Sequence, residues 1–204
     1  KLDDKKLDDL KLDDLKLDYY HELINIFNDS KEIIIISRGG YRDFSDETPS
    51  FDKIYIGIKQ SILLLPRKDI LVLNDYEGLF GLEDIINEIK FIIRPSSIRY
   101  KHHISDEAEE RFNNYLKINN FSGKIFKFII KEESDDDRLI KHTKKIIDSA
   151  EVIFNFLQYF TINKEIKIYN LYINLDDNSE INEKILNANI NINFKEDYDS
   201  YIER

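Results

Sequence analysis

The chain has 204 residues and a formal net charge of −10 at neutral pH, with 42% hydrophobic and 12% aromatic residues. This length is typical of one domain with tails, and the apolar content is enough to form a core. The absence of cysteine excludes disulfide frameworks, thiolate metal sites and cysteine nucleophiles. No run of about 18 apolar residues and no signal-peptide pattern is found. We therefore expect a protein without a membrane span that is not secreted and resides in the cytoplasm or within a particle.

Charge is distributed unevenly along the chain. Residues 53–131 carry 13 Lys and Arg against 10 Asp and Glu, whereas the segments on either side are acidic. Because a net-acidic chain repels phosphate backbones at long range, a protein partner is favoured over nucleic acid. The abundance of Ile, Asn, Lys and Asp indicates codons from an AT-rich genome.

Residues 1–18 form a five-residue repeat based on Lys-Leu-Asp-Asp. A five-residue step advances about 140° around a helix, so the repeated leucines do not form one apolar stripe. The few copies present are too short for a self-supporting solenoid. We interpret residues 1–18 as an acidic low-complexity leader that contributes little to folding, with a docking segment as the alternative. Residues 19–204 then form a single α/β domain.

The predicted elements of the first half are mainly strands. Helical spacing of apolar residues predicts a first helix over 18–27. The run Ile33 to Ile36 predicts a strand that is buried on both faces. Further strands are predicted over 51–58, 62–65, 69–75 and 91–93, and a short helix over 82–90. Since no helix separates the early strands, we expect them to pair in antiparallel fashion at one edge of the sheet.

In the second half, helices and strands alternate. Ser105 is predicted to cap a helix whose inner face carries Phe112, Tyr115 and Leu116. The remaining elements are strands over 124–130, 164–175 and 190–194, a long helix over 134–159 and a short helix over 180–186. Together the elements predict an α/β fold, with a mixed, largely parallel sheet, helices packed on its faces and an antiparallel edge from the early strands.

The sequence contains none of the common catalytic or nucleotide-binding motifs. It lacks a Gly-rich phosphate loop ending in Lys-Ser or Lys-Thr, a Gly-x-Ser-x-Gly elbow, a His-Glu-x-x-His helix and a Gly-x-Gly-x-x-Gly turn. Standard nucleoside triphosphatases, elbow-type serine hydrolases, helical zinc proteases and dinucleotide enzymes are thereby disfavoured. No motif identifies a cofactor or a metal.

The first candidate site follows the predicted strand that ends at Ile36. Arg38 and Arg42 can contact an anion, and the backbone N–H groups of Gly39 and Gly40 can approach a phosphate closely. The alternative is an ordinary turn between a strand and a surface loop.

The second candidate site follows the predicted strand over 69–75. Asp75, with Glu77 close behind it, can bind a divalent metal or act as a base. The alternative is a polar strand end with a turn built on Gly78. If the strands that end near Ile36 and Leu73 are parallel, both candidate loops lie at one edge of the sheet.

A secondary basic patch is predicted within residues 90–105, which contain no acidic residue. Arg94, Arg99, Lys101 and His102 are its members, and an aromatic residue lies among them. Arginine beside an aromatic ring is suited to phosphate or base contacts. Other stretches of the chain are also free of acids, so a solvated basic face is the alternative.

Two functions follow from these patterns. The absence of motifs favours a non-catalytic protein that binds another macromolecule, such as a viral or parasite accessory or particle component. The alternative is a divergent Mg²⁺-dependent, phosphate-handling transferase or hydrolase with its site at the carboxyl edge of the sheet. In that case Asp75 and Glu77 would be catalytic, and Arg38 and Arg42 would bind the anion.

Overall fold

A computed structural model of the protein describes residues 17–37, 43–128, 164–169 and 190–192. This part of the chain contains two α-helices, three 3₁₀ helices and nine strands. The helices are α1 (Leu17–Asp29) and α2 (Asp106–Ile118), and the 3₁₀ helices are Lys59–Leu64, Tyr76–Leu79 and Ile86–Glu88. The strands are β1 (Glu32–Ile36), β2 (Lys53–Ile58), β3 (Ile70–Val72), β4 (Phe91–Pro95), β5 (Arg99–Tyr100), β6 (His103–Ile104), β7 (Lys124–Phe128), β8 (Glu165–Tyr169) and β9 (Ile190–Ile192).

Seven strands form one sheet in the order β7-β4-β3-β2-β1-β8-β9. Every neighbouring pair in this sheet is parallel, which confirms the predicted α/β fold. From β1 the chain adds strands in one direction until β7, and it then returns to the other side of β1 with β8. The strand order therefore reverses between β1 and β8, and all seven strands end at the same edge, which we call the carboxyl edge.

The expected antiparallel pairing of the early strands is not found. Strand β1 is parallel to β2, and β2 is parallel to β3, so these strands lie inside the sheet. The connecting segments 37–52 and 59–69 are long enough for parallel pairing, and their described residues contain no α-helix. Within the described residues, the one antiparallel pair is the small separate hairpin of β5 and β6.

The prediction of a strand over 62–65 was wrong, because this segment belongs to the 3₁₀ helix Lys59–Leu64 and the residue that follows it. The helix folds back so closely on β2 that a Cβ atom on Gly57 would lie 2.3 Å from the Cα of Ile62. Ile62 and Leu65 are both buried, at a spacing of three residues. Packing against β2 thus overrides the strand preference of the isoleucine. The helix predicted over 82–90 is similarly reduced to the 3₁₀ helix Ile86–Glu88.

The sheet is buried on both faces in its centre. Residues 33–36 of β1 are all buried, as a parallel strand between two covered faces requires. Helix α2 covers one face, where Phe112, Tyr115 and Leu116 join a core cluster with Ile34 and Ile36. We refer to this cluster as the α2 core. The predicted inner face of α2 is therefore confirmed.

The N-terminus of α2 is capped as predicted. The Ser105 Oγ accepts a hydrogen bond from the N–H of Ala108 at 3.1 Å, and Asp106, Glu107 and Glu109 lie in the first turn. These acids interact favourably with the positive end of the helix dipole. The other helix, α1, is joined to β7 by an ion pair between Glu22 and Lys124.

Several predicted features lie outside the described residues. These are residues 1–16 of the leader predicted over 1–18, the loop 38–42, the long helix predicted over 134–159 and the short helix predicted over 180–186, so the expectations for them stay predictions. Among the residues that the structure describes, no helix is long and apolar enough to cross a membrane.

Candidate functional site at the carboxyl edge

Three buried polar side chains lie where the strands end. Ser37 follows β1, Asn74 lies two residues after β3, and Arg99 lies beside the end of β3. Their exposed fractions are 5%, 4% and 8%. Because burying a polar group costs free energy unless it is compensated, this concentration of polar side chains marks the carboxyl edge as chemically distinct from the apolar sheet below it.

Ser37 marks the point where the strand order reverses. Its N–H donates a hydrogen bond of 3.0 Å to the carbonyl oxygen of Tyr169, which continues the pairing of β1 with β8. The ring of Tyr169 is buried and packs edge to face against Phe44, with 4.9 Å between the ring centroids. Open parallel sheets bind ligands outside the carboxyl ends of the strands that flank such a reversal.

The structure gives Asp75 a local structural role. Its Oδ1 accepts a hydrogen bond of 2.9 Å from the N–H of Gly78, which caps the 3₁₀ helix Tyr76–Leu79. Its Oδ2 accepts a hydrogen bond of 2.7 Å from the Nζ of Lys59. Lys59 is the first residue of the preceding 3₁₀ helix and has a positive φ of 52°. Both carboxylate oxygens therefore have partners, and this arrangement corresponds to the turn on Gly78 that the sequence offered as the alternative.

Glu77 joins the β5–β6 hairpin to the second 3₁₀ helix. Its Oε1 accepts a hydrogen bond of 2.7 Å from the N–H of Lys101. Lys101 and His102 form the two-residue hairpin turn, and both have positive φ, 48° and 67°. This pattern is that of a type I′ turn, which usually contains Gly or Asn, so the backbone of the hairpin turn is strained. The hydrogen bond from Lys101 to Glu77 helps to stabilise this strained conformation.

The hairpin extends the sheet beyond the end of β3. The N–H of Arg99 donates to the carbonyl oxygen of Asn74 at 3.4 Å, and Arg99 forms a parallel bridge with Asp75. The chain after β4 thereby continues alongside the residues that follow β3. This pairing places Arg99 at the carboxyl edge.

The predicted basic patch is divided by the fold. Arg94 is completely buried, and its guanidinium pairs in bidentate fashion with the carboxylate of Glu109. It also donates to the carbonyl oxygens of Pro95 and Ser96, at 3.0 and 3.2 Å, and lies 4.7 Å from the ring centroid of Phe112. Arg94 therefore anchors α2 to β4 through four hydrogen bonds of its guanidinium.

The other members of the patch lie in different environments. Lys101 and His102 are exposed at the hairpin turn, and the Nζ of Lys101 lies 5.1 Å from the ring centroid of Tyr100. Arg99 is buried. The four residues do not form one basic surface.

An aromatic cluster beside the hairpin was not anticipated from the sequence. The ring of Tyr76 packs edge to face against Phe80, Tyr100 and Tyr115, with centroid distances between 5.1 and 6.3 Å. The Tyr115 hydroxyl donates a hydrogen bond of 2.6 Å to the carbonyl oxygen of Leu79, and burial raises the pKa of Tyr115 far above its usual value. The cluster holds the second 3₁₀ helix, the hairpin and α2 together. Tyr100 and Tyr115 are distant in sequence from Tyr76 and Phe80, so no local pattern indicates the whole cluster.

The loop residues Arg38, Gly39, Gly40 and Arg42 lie outside the described residues. Their expected anion contacts stay a prediction, and Ser37 at the carboxyl edge shows where their loop begins. Within the described ranges, no group of three or more His, Asp and Glu side chains is arranged to bind a metal ion. No protein-family model, curated protein or solved structure matches this chain.

Proposed function

We propose that this protein is a phosphate-handling transferase or hydrolase that binds its substrate at the carboxyl edge of the sheet. The observation that supports this proposal is the topology. Seven parallel strands end at one edge, and their order reverses between β1 and β8. In open parallel sheets the two loops at such a reversal diverge to opposite faces, and the crevice between them receives the ligand.

The placement of polar residues supports the same edge. Ser37 lies directly at the reversal, and Asn74 and Arg99 lie at the end of β3. Strands β1 and β3 are separated by β2 alone, so their ends are about 10 Å apart at the usual strand spacing. A phosphorylated metabolite of moderate size spans this distance.

In this proposal Asp75 and Glu77 position the loops and do not perform the chemistry. Both Asp75 oxygens accept hydrogen bonds, and Lys59 neutralises the charge of this carboxylate. Asp75 is therefore poorly suited to bind Mg²⁺. The anion contacts stay assigned to Arg38 and Arg42, which follow β1 in the sequence. The N–H groups of the two glycines between them suit the same anion.

The other prediction, a non-catalytic protein that binds a macromolecule, stays a prediction. Four large apolar side chains are exposed among the described residues, and they come from four separate segments: Phe51, Leu63, Phe80 and Ile118. Isolated exposed apolar residues are normal on soluble domains, whereas an interface requires a contiguous patch. The carboxyl edge therefore has the more specific support.

Hydrogen exchange measured by mass spectrometry tests the proposed site. The probes are a panel of nucleoside and sugar phosphates, each paired with its unphosphorylated counterpart as the control. We expect a phosphorylated probe to slow exchange in peptides covering residues 36–44 and 73–78. Peptides covering 30–34 and 67–70, at the opposite edge of the sheet, should be unchanged. Slowed exchange confined to the opposite edge, or equal effects of the unphosphorylated controls, would contradict the proposal.

A further inference from the structure

Arg99 differs from the other arginines that the structure describes. Arg67 pairs with Asp69, Arg94 pairs with Glu109, and Arg111 pairs with Glu107. The guanidinium of Arg99 has no hydrogen bond and no ion pair with any described residue. Arg99 is thus the one of these four arginines whose guanidinium has no carboxylate partner among the described residues.

Burial holds the side chain of Arg99 in place while its charged end stays accessible. Arg99 is 8% exposed, whereas Arg111, whose partner is Glu107, has a side chain that is 46% exposed. Among the described residues, the one enclosed side-chain nitrogen or oxygen without a hydrogen-bond partner is Oε1 of Glu32, so the unpaired nitrogens of Arg99 keep contact with solvent. A guanidinium keeps its proton in proteins, so this accessible group carries a full positive charge that an anion can approach.

The acid closest to Arg99 along the backbone pairing is already engaged. Asp75 forms the parallel bridge with Arg99, but its carboxylate accepts hydrogen bonds from Lys59 and Gly78. Asp75 is therefore neutralised by another cation and does not serve Arg99.

The neighbours of Arg99 indicate the direction of its side chain. Ile98 is fully buried in the α2 core, and Tyr100 packs against the same cluster. Because side chains alternate along an extended segment, the side chain of Arg99 points away from the α2 core. The backbone pairing with Asn74 places Arg99 itself at the carboxyl edge, beyond the end of β3.

We propose that Arg99 binds the oxyanion group of the substrate, a phosphate or a carboxylate. The inference rests on the proposed function and specifies one recognition contact within it. The planar guanidinium presents paired N–H donors that match both oxyanions in bidentate geometry. The substrate thus supplies the counter-ion that the described protein residues do not.

Ligand-induced thermal stabilisation of the full chain tests the contact. The probes are pyrophosphate and citrate, which separate phosphate from carboxylate recognition. Arg99→Met removes the charge with little loss of volume, Arg99→Lys keeps the charge without the bidentate fork, and Arg111→Met is the matched control. We expect one probe to raise the Tm of the wild type and of Arg111→Met. Arg99→Met should weaken its apparent Kd by at least about tenfold, with Arg99→Lys intermediate.

The stability of the ligand-free protein provides an independent measurement. We expect Arg99→Met to have a Tm close to that of the wild type, because it removes a group that has no ion pair with any described residue and keeps most of the side-chain volume. A large decrease in Tm would show that Arg99 is a structural residue and would overturn the inference.

The failures of the two proposals are distinguishable. If the wild type and Arg99→Met bind the probe with equal affinity, the role of Arg99 is refuted while the proposed function stands. If neither probe stabilises the wild type, but phosphorylated metabolites still slow exchange at the carboxyl edge, the oxyanion contact is again refuted alone. Absence of binding in both experiments contradicts both proposals.

Discussion

Asp69, Arg94 and Arg99 are three ionisable residues that the fold buries almost completely. Asp69 directly precedes β3, and it accepts hydrogen bonds from the Nε of Arg67 at 2.7 Å and from the N–H of Tyr55 at 3.0 Å. The Nζ of Lys90 lies 3.3 Å from the same carboxylate. Asp69 and Arg94 thus both have partners of opposite charge, and Arg99 is the one of the three without such a partner among the described residues.

We predict that Arg94→Met destabilises the protein by about 3 kcal/mol, because it removes one partner of a buried ion pair and leaves Glu109 without its cation. Urea unfolding measures the change. Arg111→Met is the control, since it breaks an exposed pair between residues four positions apart and should cost about 0.5 kcal/mol or less. Equal effects of the two substitutions would show that the Arg94 pair contributes no more than a surface pair.

At the scale of single elements, prediction succeeded where one local pattern determines the structure. The isoleucine run of β1 and the cap and inner face of α2 were identified correctly from sequence. Prediction failed at residues 62–65, because the close approach to Gly57 that turns this segment into a 3₁₀ helix is a tertiary contact. The parallel pairing of the early strands was missed for a related reason, since their crossovers lack the helical pattern that usually indicates them.

Gly57 offers a test of this crossover. A Cβ atom on Gly57 would lie 2.3 Å from the Cα and Cβ of Ile62, so the 3₁₀ helix would have to move away from β2. We predict that Gly57→Ala costs about 3 kcal/mol, measured by denaturant unfolding.

Gly81→Ala is the control for this substitution. Gly81 has a positive φ of 79° but no atom within 4 Å of a Cβ, so its replacement costs about 1 kcal/mol of backbone strain. A smaller loss of stability for Gly57→Ala than for Gly81→Ala would contradict the close packing of the crossover on β2.

For the whole molecule, the sequence was sufficient to locate the edge of the sheet that carries the candidate site. The loops after Ile36 and Leu73 were expected to share an edge if their strands were parallel, and the structure meets this condition with β2 between them. The sequence could not distinguish Arg99 from Arg94, because the difference depends on the pairing of Arg94 with Glu109 on a separate helix. The sequence likewise could not show that Lys59 forms an ion pair with the carboxylate of Asp75.

A crystal structure of the full chain with pyrophosphate or citrate would show directly whether Arg99 binds the anion. We expect electron density for the anion at the carboxyl edge, with its oxygens about 3 Å from the Arg99 guanidinium nitrogens. The contradicting result is an Arg99 guanidinium paired with a carboxylate of the chain itself, with the anion bound elsewhere.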